Sequence, residues 1–361
     1  MGNSVRSIWE NEQKRILGFT HSISSLIKEY AILLELGKEK EAKIIMYHIE
    51  ALLKTIEISD EFEYLKRFFE IFIDAINRRH QNEVGNLYLE DKMLQAFDTF
   101  YHSVPFVKFG HDAANSFINA YTIHETEITI IDIGFGSGLQ WKDFLEKNPK
   151  KINLIAIDLP TENNFQKFEE FLQNLKRSNV SFTSVLSRVE ELDFLKLPLN
   201  SSFLVINASF SLHHILPDEF DSKAGRQHLL REISKLKPDL FILVEPDSNH
   251  SNLSPAATII EVMAHYMSVF HALDYFLKEN ENLMIIEREF FGREMRNILG
   301  NFDTSRYERH ERYEQWILRL KELNLREVEK VTYTWKTKPL IVASAWQPIE
   351  YFKKPTVLEL N

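Results

Sequence analysis

The stretch Ile130-Ile131-Asp132-Ile133-Gly134-Phe135-Gly136-Ser137-Gly138 decides the fold. It reads as a buried strand running into three alternating glycines and then into a helix around Gln140 to Glu146. Glycine is needed where the backbone must approach a ligand closely or take positive φ. A dinucleotide fingerprint, G-x-G-x-x-G, would place its third glycine at 139, which is Leu139. The match is instead to G-x-G-x-G. Asp158 ends the next strand, Leu154-Ile155-Ala156-Ile157-Asp158, where a carboxylate can accept both hydroxyls of a ribose. Asp132, at the tip of the first strand, would repel a pyrophosphate but can stabilise an ammonium or order water beside it. Together these favour an S-adenosylmethionine type of ligand over NAD. The plainer alternative is a tight strand-to-helix turn, with Asp158 capping the helix that follows.

Outward from this stretch, short apolar runs recur at Ile128 to Ile133, Asn153 to Ile157, Val180 to Val185, Phe203 to Asn207 and Leu240 to Val244, with helical stretches between them. Such alternation implies a mostly parallel sheet covered on both faces, a doubly wound, Rossmann-like α/β fold. Strand signals at Glu327 to Trp335 and Leu340 to Trp346 follow a helix around Tyr313 to Leu323, and add an antiparallel hairpin to make seven strands. Upstream, from Ser7 to Tyr101, the apolar spacing is helical throughout. Faces such as Phe68, Phe69, Ile71, Phe72 and Ile76 need burial, which predicts a helical cap over 1–105 and a core over 106–361. Ser254-Pro255 supplies an N-cap and a first-turn proline for a long helix to about Lys278. It opens a helical insertion at about 254–320. There are no internal repeats.

Apolar residues at 44% and charged residues at 27% describe a folded globular chain of 361 residues, long enough for one large domain or two ordinary ones. The net charge of −10 and the lack of a basic run argue against direct nucleic-acid binding. The absence of cysteine removes disulfides, thiolate metal sites and cysteine nucleophiles. Met1 to Glu10 has no apolar export segment, and Arg6 stands where a myristoylation signal wants Ser or Thr. Leu197 to Pro217 lacks acidic and basic residues, but its prolines, histidines, asparagines and serines suit a buried strand and loop better than a membrane. The expectation is a cytoplasmic protein without a membrane partner.

Further motifs lie in order along the chain. They include Tyr101-His102-Ser103-Val104-Pro105-Phe106-Val107-Lys108-Phe109-Gly110-His111 with Ala114-Asn115, Ile130-Ile131-Asp132, and Gly138-Leu139-Gln140-Trp141. Val244-Glu245-Pro246-Asp247-Ser248-Asn249-His250, His265-Tyr266-Met267-Ser268-Val269-Phe270, Arg306-Tyr307-Glu308-Arg309-His310-Glu311 with Trp316, and Lys338-Pro339-Leu340 to Ala345-Trp346 follow. Over roughly residues 97 to 347 this set resembles the GRAS family, whose fold belongs to the Rossmann-type methyltransferase superfamily. The resemblance implies two functions. Plant members are transcriptional regulators that mostly lack a full glycine loop and act through protein partners, whereas bacterial members have been proposed as small-molecule methyltransferases. The intact Gly134, Gly136 and Gly138, with the Lys, Asn, Ile and Phe content, point toward the bacterial type.

In a methyl transfer the substrate heteroatom attacks the sulfonium methyl in line, so the protein positions the two and, where needed, takes a proton. Site residues then belong at the carboxyl ends of strands one, four and five. The catalytic candidates are Glu245, His213 and His250. His213 and His214 are adjacent and diverge by roughly 100° on a helix, so at most one of them faces the ligand. Glu245 is a base, a substrate anchor, a partner of His250, or a buried carboxylate holding loop amides. Asp132, Gly134, Phe135, Gly136, Gly138, Asp158, Leu159, Glu190 and Asn207 are the candidates for the cofactor. Tyr101, Lys108, His111, Asn115, His214, Asn249 and Arg309 are the candidates for the substrate. Arg309 and His310 fit either a solvated helix start or, with Arg306, Glu308 and Glu311, an internal ion-pair network. No cluster has a metal-ligand spacing. The expectation is an S-adenosylmethionine-dependent methyltransferase of a small, partly apolar molecule, monomeric or homodimeric. The alternative is a non-enzymatic regulatory scaffold acting through protein partners.

Overall fold

The computed structural model describes residues 2–78, 91–159, 165–175, 177–199, 203–218, 225–251, 253–301 and 305–352. The first half of the chain carries α1 (Gly2–Glu35), α2 (Glu39–Thr55), α3 (Glu63–Asn77), α4 (Asp91–Ser103), α5 (Pro105–Tyr121), β1 (Glu127–Ile133), α6 (Leu139–Lys147), β2 (Lys151–Asp158), α7 (Gln166–Leu175) and β3 (Val180–Leu186). The second half carries β4 (Phe203–Ser209), α8 (Arg226–Ser234), β5 (Leu240–Pro246), α9 (Pro255–Leu277), α10 (Leu283–Ile285), α11 (Gly292–Gly300), α12 (Tyr313–Lys321), β6 (Leu325–Trp335) and β7 (Lys338–Pro348). The chain divides into two compact units, one of Met1–Val104 with Ser248–Arg309, the other of Pro105–Asp247 with His310–Asn361.

The second unit holds a seven-stranded sheet in the order β3-β2-β1-β4-β5-β7-β6. The first five strands are parallel, and β7 runs antiparallel to both β5 and β6. This is the α/β, Rossmann-like arrangement of a class I methyltransferase core with its antiparallel hairpin. The order reverses between β1 and β4, so the two strands diverge to neighbours on opposite sides and leave a crevice at their carboxyl ends. Near-continuous burial of β1, β2, β4 and β5 explains their unbroken Ile, Leu and Val runs. On one face Ile131, Ile155, Ile206 and Leu243 pack with Leu230 of α8 and Trp316 of α12. Against the sheet α5 comes so close at Gly110 that a Cβ there would stand 2.6 Å from Val244 Cγ1 and 2.8 Å from Phe210 Cζ.

The first unit is helical. The buried face of α3 presents Phe68, which meets Phe270 of α9 edge-on at 5.4 Å, and Phe69, which meets Phe19 of α1 at 6.0 Å. Arg67 bridges Asp274 and Glu287 at 2.8 Å each. Between α10 and α11 the chain widens to a π-helical turn, Ile286–Phe291, whose Phe290 and Phe291 pack on Phe100. Ser254 caps α9 as its sequence implies, accepting from the Ala257 amide. By length and composition α9 is apolar enough to cross a membrane, but 61% of its most apolar window is buried inside the protein, so it serves as a core helix.

The segment grouped with the N-terminal helices is Ser248–Arg309. It stops short of the 254–320 span expected from sequence because α12 buries Tyr313, Trp316 and Leu320 in the core of the sheet instead. The part of the helical reading over 79–90 falls outside the described residues.

Candidate functional site

The glycine loop is left-handed at all three positions, with φ of +79° at Gly134, +57° at Gly136 and +69° at Gly138. It is fastened to the neighbouring strand by the Gly134 and Phe135 amides, which both donate to the Ile157 carbonyl. Asp158 anchors it from the end of β2: Oδ2 accepts the Gly136 amide at 2.6 Å and Oδ1 the Leu159 amide at 2.7 Å. Burial pushes the Asp158 carboxyl up, against the pull of those two amides. Each oxygen keeps a lone pair for a further donor. A Cβ at Gly136 would meet nothing within 4 Å, so the loop opens onto free space there. Beside Asp158 stand Leu159, 39% exposed, and its neighbour across the β2–β3 ladder, Leu186, 51% exposed. Glu190 is nearby in the sequence after β3, with its side chain largely buried and 3.4 Å from Arg188.

At the strand tips the polar candidates are closed on one another. Asp132 accepts Trp141 Nε1 at 2.6 Å and Asn207 Nδ2 at 2.7 Å. Asn207 Nδ2 also donates to Gln140 Oε1, and Asn207 Oδ1 accepts from Gln140 Nε2 and Ser209 Oγ. Asn115 completes the set, donating to the Gln140 carbonyl at 2.9 Å and accepting from Gln140 Nε2. Burial pushes the Asp132 carboxyl up to about 7, outweighing those two donors. Asp132 and Asn207 were expected to face the cofactor and Asn115 the substrate. Their side chains bond to each other, to Gln140 and to Trp141, with Asp132 and Asn207 buried, which is the physical content of the Gly138-Leu139-Gln140-Trp141 motif. The Phe135 ring, also expected at the cofactor, instead lies buried against Phe165, Phe168 and Phe182, where Phe135 and Phe168 fill the space a Cβ on Gly138 would need.

A second buried network surrounds Glu245, at the end of β5. Its Oε1 accepts the Leu212 amide at 2.9 Å and its Oε2 lies 2.5 Å from His213 Nδ1. Arg226 holds the same loop by donating to the carbonyls of Leu212, His213 and Ile215, and pairs with Glu311 at 2.9 Å. Arg319 grips Glu311 through two 2.7 Å bonds. Burial raises the Glu245 carboxyl, but His213, His310 and Arg226 outweigh it and hold that carboxyl below its ordinary range. Of the open roles for Glu245, the geometry supports the carboxylate that holds loop amides. His214, half-buried, lies against His213 with ring centres 4.0 Å apart and planes tilted by 49°.

The other candidates fall in both units. Lys108 is paired with Asp112 one helical turn on. Burial, helped by Lys108, pushes His111 down to about 3, so it is neutral at physiological pH. Tyr101, Asn249, His250 and Arg309 belong to the helical unit. There Tyr101 lies against Phe97, the Asn249 amide donates to Glu261, His250 stacks on Tyr266 at 5.8 Å, and Arg309 Nε donates to the Arg306 carbonyl. Arg306 reaches the His250 carbonyl at 2.5 Å, so Arg306 and Arg309 belong to an internal network and not to a solvated helix start. Two residues went unassigned by sequence. Leu186 signals itself only by being the last residue of an edge strand. Ser211 abuts Gly134, 2.5 Å from the place of a Cβ there, and its hydroxyl is buried with no hydrogen-bond partner among the described residues.

S-adenosylmethionine, the group this fold implies, fits these residues at its nucleoside end. Asp158 would accept the ribose hydroxyls, Leu159 and Leu186 would flank the base, and the space over Gly136 admits the sugar. At the amino-acid end stand main chain and the unsatisfied Ser211 hydroxyl, while Asp132 and Asn207 are buried.

A model of the GRAS domain family matches residues 23–333. Scarecrow-like protein 33 of Arabidopsis thaliana is 28% identical over 283 residues, covering 72% of this chain and 40% of that protein. Scarecrow-like transcription factor PAT1, also of Arabidopsis thaliana, is 27% identical over 241 residues, covering 62% of this chain and 49% of its own. Across eight of the curated relatives it matches, the chain spans between 33% and 59% of their length. Among solved structures, SCL7 of Oryza sativa superposes with a TM-score of 0.70 at 20% identity, over 84% of this chain and 94% of that one, a likeness of fold. With the family model running from α1 into β6 and the motifs in order along it, the chain belongs to the GRAS domain family.

Proposed function

We propose that this chain is a regulatory protein acting through protein partners, on a Rossmann unit that retains a crevice for a nucleoside-bearing ligand. One observation carries the reading: Asp132 and Glu245, the acids at the ends of β1 and β5, are buried and bonded within the protein. Asp132 is held by Trp141 and Asn207, and Glu245 by the Leu212 amide and His213. A group that must take a proton from a substrate needs to reach it. The relative named as a transcription factor supports the same reading.

A second reading, an S-adenosylmethionine-dependent methyltransferase of a small molecule, is favoured by the open space over Gly136 and by the orphaned Ser211 hydroxyl beside Gly134. When bound, S-adenosylmethionine would supply the methyl group. The chain's residues would orient the ribose through Asp158 and shield the base with Leu159 and Leu186. A bacterial affinity rests on the glycine loop and composition alone, since the relatives named above are plant proteins.

The test incubates the purified chain with methyl-labelled S-adenosylmethionine and a soluble cell extract, with Gly136→Val as control. The regulatory reading expects no more label transferred by the wild type than by the variant. Transfer that depends on the wild-type protein would establish the methyltransferase instead.

A further inference from the structure

Buried acids in this chain are met by cations. Glu245 lies against His213 and feels Arg226, Glu311 is gripped by Arg226 and Arg319, and Asp274 and Glu287 share Arg67. Asp132 differs. Among the described residues its carboxylate, 3% exposed, is bonded by the neutral donors Trp141 Nε1 and Asn207 Nδ2 alone. The one charge that bears on it from β2, β4, α5 or α6 is the carboxylate of Asp158, another anion. Neutral donors lower the cost of a buried charge but supply no counter-ion, and acids are seldom fully buried unless paired. That cost is why burial pushes the Asp132 carboxyl up to about 7, where a proton comes and goes at physiological pH.

This acid stands directly before the glycine loop on β1, and Trp141 directly after it on α6. Their bond joins the two ends of the loop at the carboxylate, beside β4, where the order of the sheet reverses. In a low-dielectric interior a charge acts over several ångströms without contact. A ligand on the loop therefore feels the Asp132 carboxylate although the residue itself is closed off. A positive group on the 5′ side of a nucleoside supplies the missing counter-ion, whereas a neutral group leaves the cost of the buried charge unrelieved.

We propose that Asp132 sets the charge preference of the crevice: ionised, it favours a nucleoside with a fixed positive charge beside its 5′ carbon, such as a sulfonium, and protonated it does not. Asp132 thus determines specificity without touching the ligand, and binding of the cation in turn releases its proton. This role rests on the nucleoside reading of the glycine loop and adds to it a dependence on pH.

S-adenosylmethionine and S-adenosylhomocysteine differ only in the methyl that makes the sulfur a sulfonium, and that charge does not titrate. Calorimetric titration of the full chain with each, at pH 6, 7 and 8, tests the role. For a roughly tenfold coupling between sulfonium and carboxylate, the preference for S-adenosylmethionine should rise about fivefold from pH 6 to pH 8. Asp132→Asn, shown to be folded by circular dichroism, should keep one ratio at all three. A second readout needs no variant: at pH 7, titrations in two buffers of different ionisation heat should record about 0.4 proton more released by S-adenosylmethionine than by S-adenosylhomocysteine. A ratio independent of pH, or equal proton release by the two ligands, overturns the proposal and leaves the nucleoside reading standing. A pH dependence kept in Asp132→Asn would belong to Asp158 and overturns it likewise. If the folded wild type binds neither ligand, both the proposal and the nucleoside reading fall.

Discussion

Gly136 and Gly138 share a left-handed backbone, yet a side chain would meet different surroundings at each. At Gly136 the Cβ enters open space, whereas at Gly138 it stands 2.5 Å from Phe168 and 2.7 Å from Phe135. Left-handed backbone costs a non-glycine residue about 1–2 kcal/mol, and overpacking adds about 1–3 kcal/mol. Gly138→Ala is therefore expected to lose clearly more stability than Gly136→Ala in urea denaturation; equal losses would contradict the packing at Phe135. Asp132 and Glu245 should carry opposite pH dependences. Asp132 is raised in the folded state from 3.8 to about 7, so its contribution is full below 3.8 and is lost as pH rises through 7. Glu245 is lowered, so its contribution is present above 4.5 and is lost as pH falls through the folded value. Denaturation of wild type and Asp132→Asn at pH 5 and pH 8 should show the wild type gaining on the variant at pH 5. A pH-independent difference would mean that Asp132 is not buried as described.

The loop between β4 and α8 and the end of β5 are joined by Glu245, His213 and Arg226. Removing one partner of a buried charged network leaves the others unpaired, at a cost of about 3–5 kcal/mol. Glu245→Gln should accordingly lower the unfolding free energy by that order, read by urea denaturation, while leaving ligand affinity unchanged in the folded protein. A loss below about 1 kcal/mol would mark Glu245 as a freely standing base instead. The elements themselves were legible: strand runs, the glycine loop, the Ser254 cap and the C-terminal hairpin follow from periodicity and turn chemistry. Which polar residues meet was not legible. Asp132, Asn115, Gln140 and Asn207 lie on four elements, and only the register of β1 with β4 brings Asp132 alongside Asn207. The π-helical turn at Ile286–Phe291 likewise has no local signal, since its composition suits an ordinary helix.

At the scale of the whole chain, the candidate residues fall in both compact units. Tyr101, Asn249, His250 and Arg309 belong to the helical unit, where Tyr101 lies against Phe97, His250 stacks on Tyr266 and Arg309 Nε donates to the Arg306 carbonyl. The crevice that does belong to the Rossmann unit depends on few side chains, chiefly Asp158 and the glycine loop, and this is what the fold made readable. The glycine loop is expected to bind a nucleoside while the strand-tip acids hold the fold. Calorimetric titration of the purified chain with S-adenosylhomocysteine tests this most directly, using Asp158→Ala, Gly136→Val and Glu245→Gln beside the wild type. The predicted result is binding on the order of micromolar, lost in the first two variants and kept in the third. No binding by the folded wild type, or binding indifferent to Gly136→Val, would contradict it.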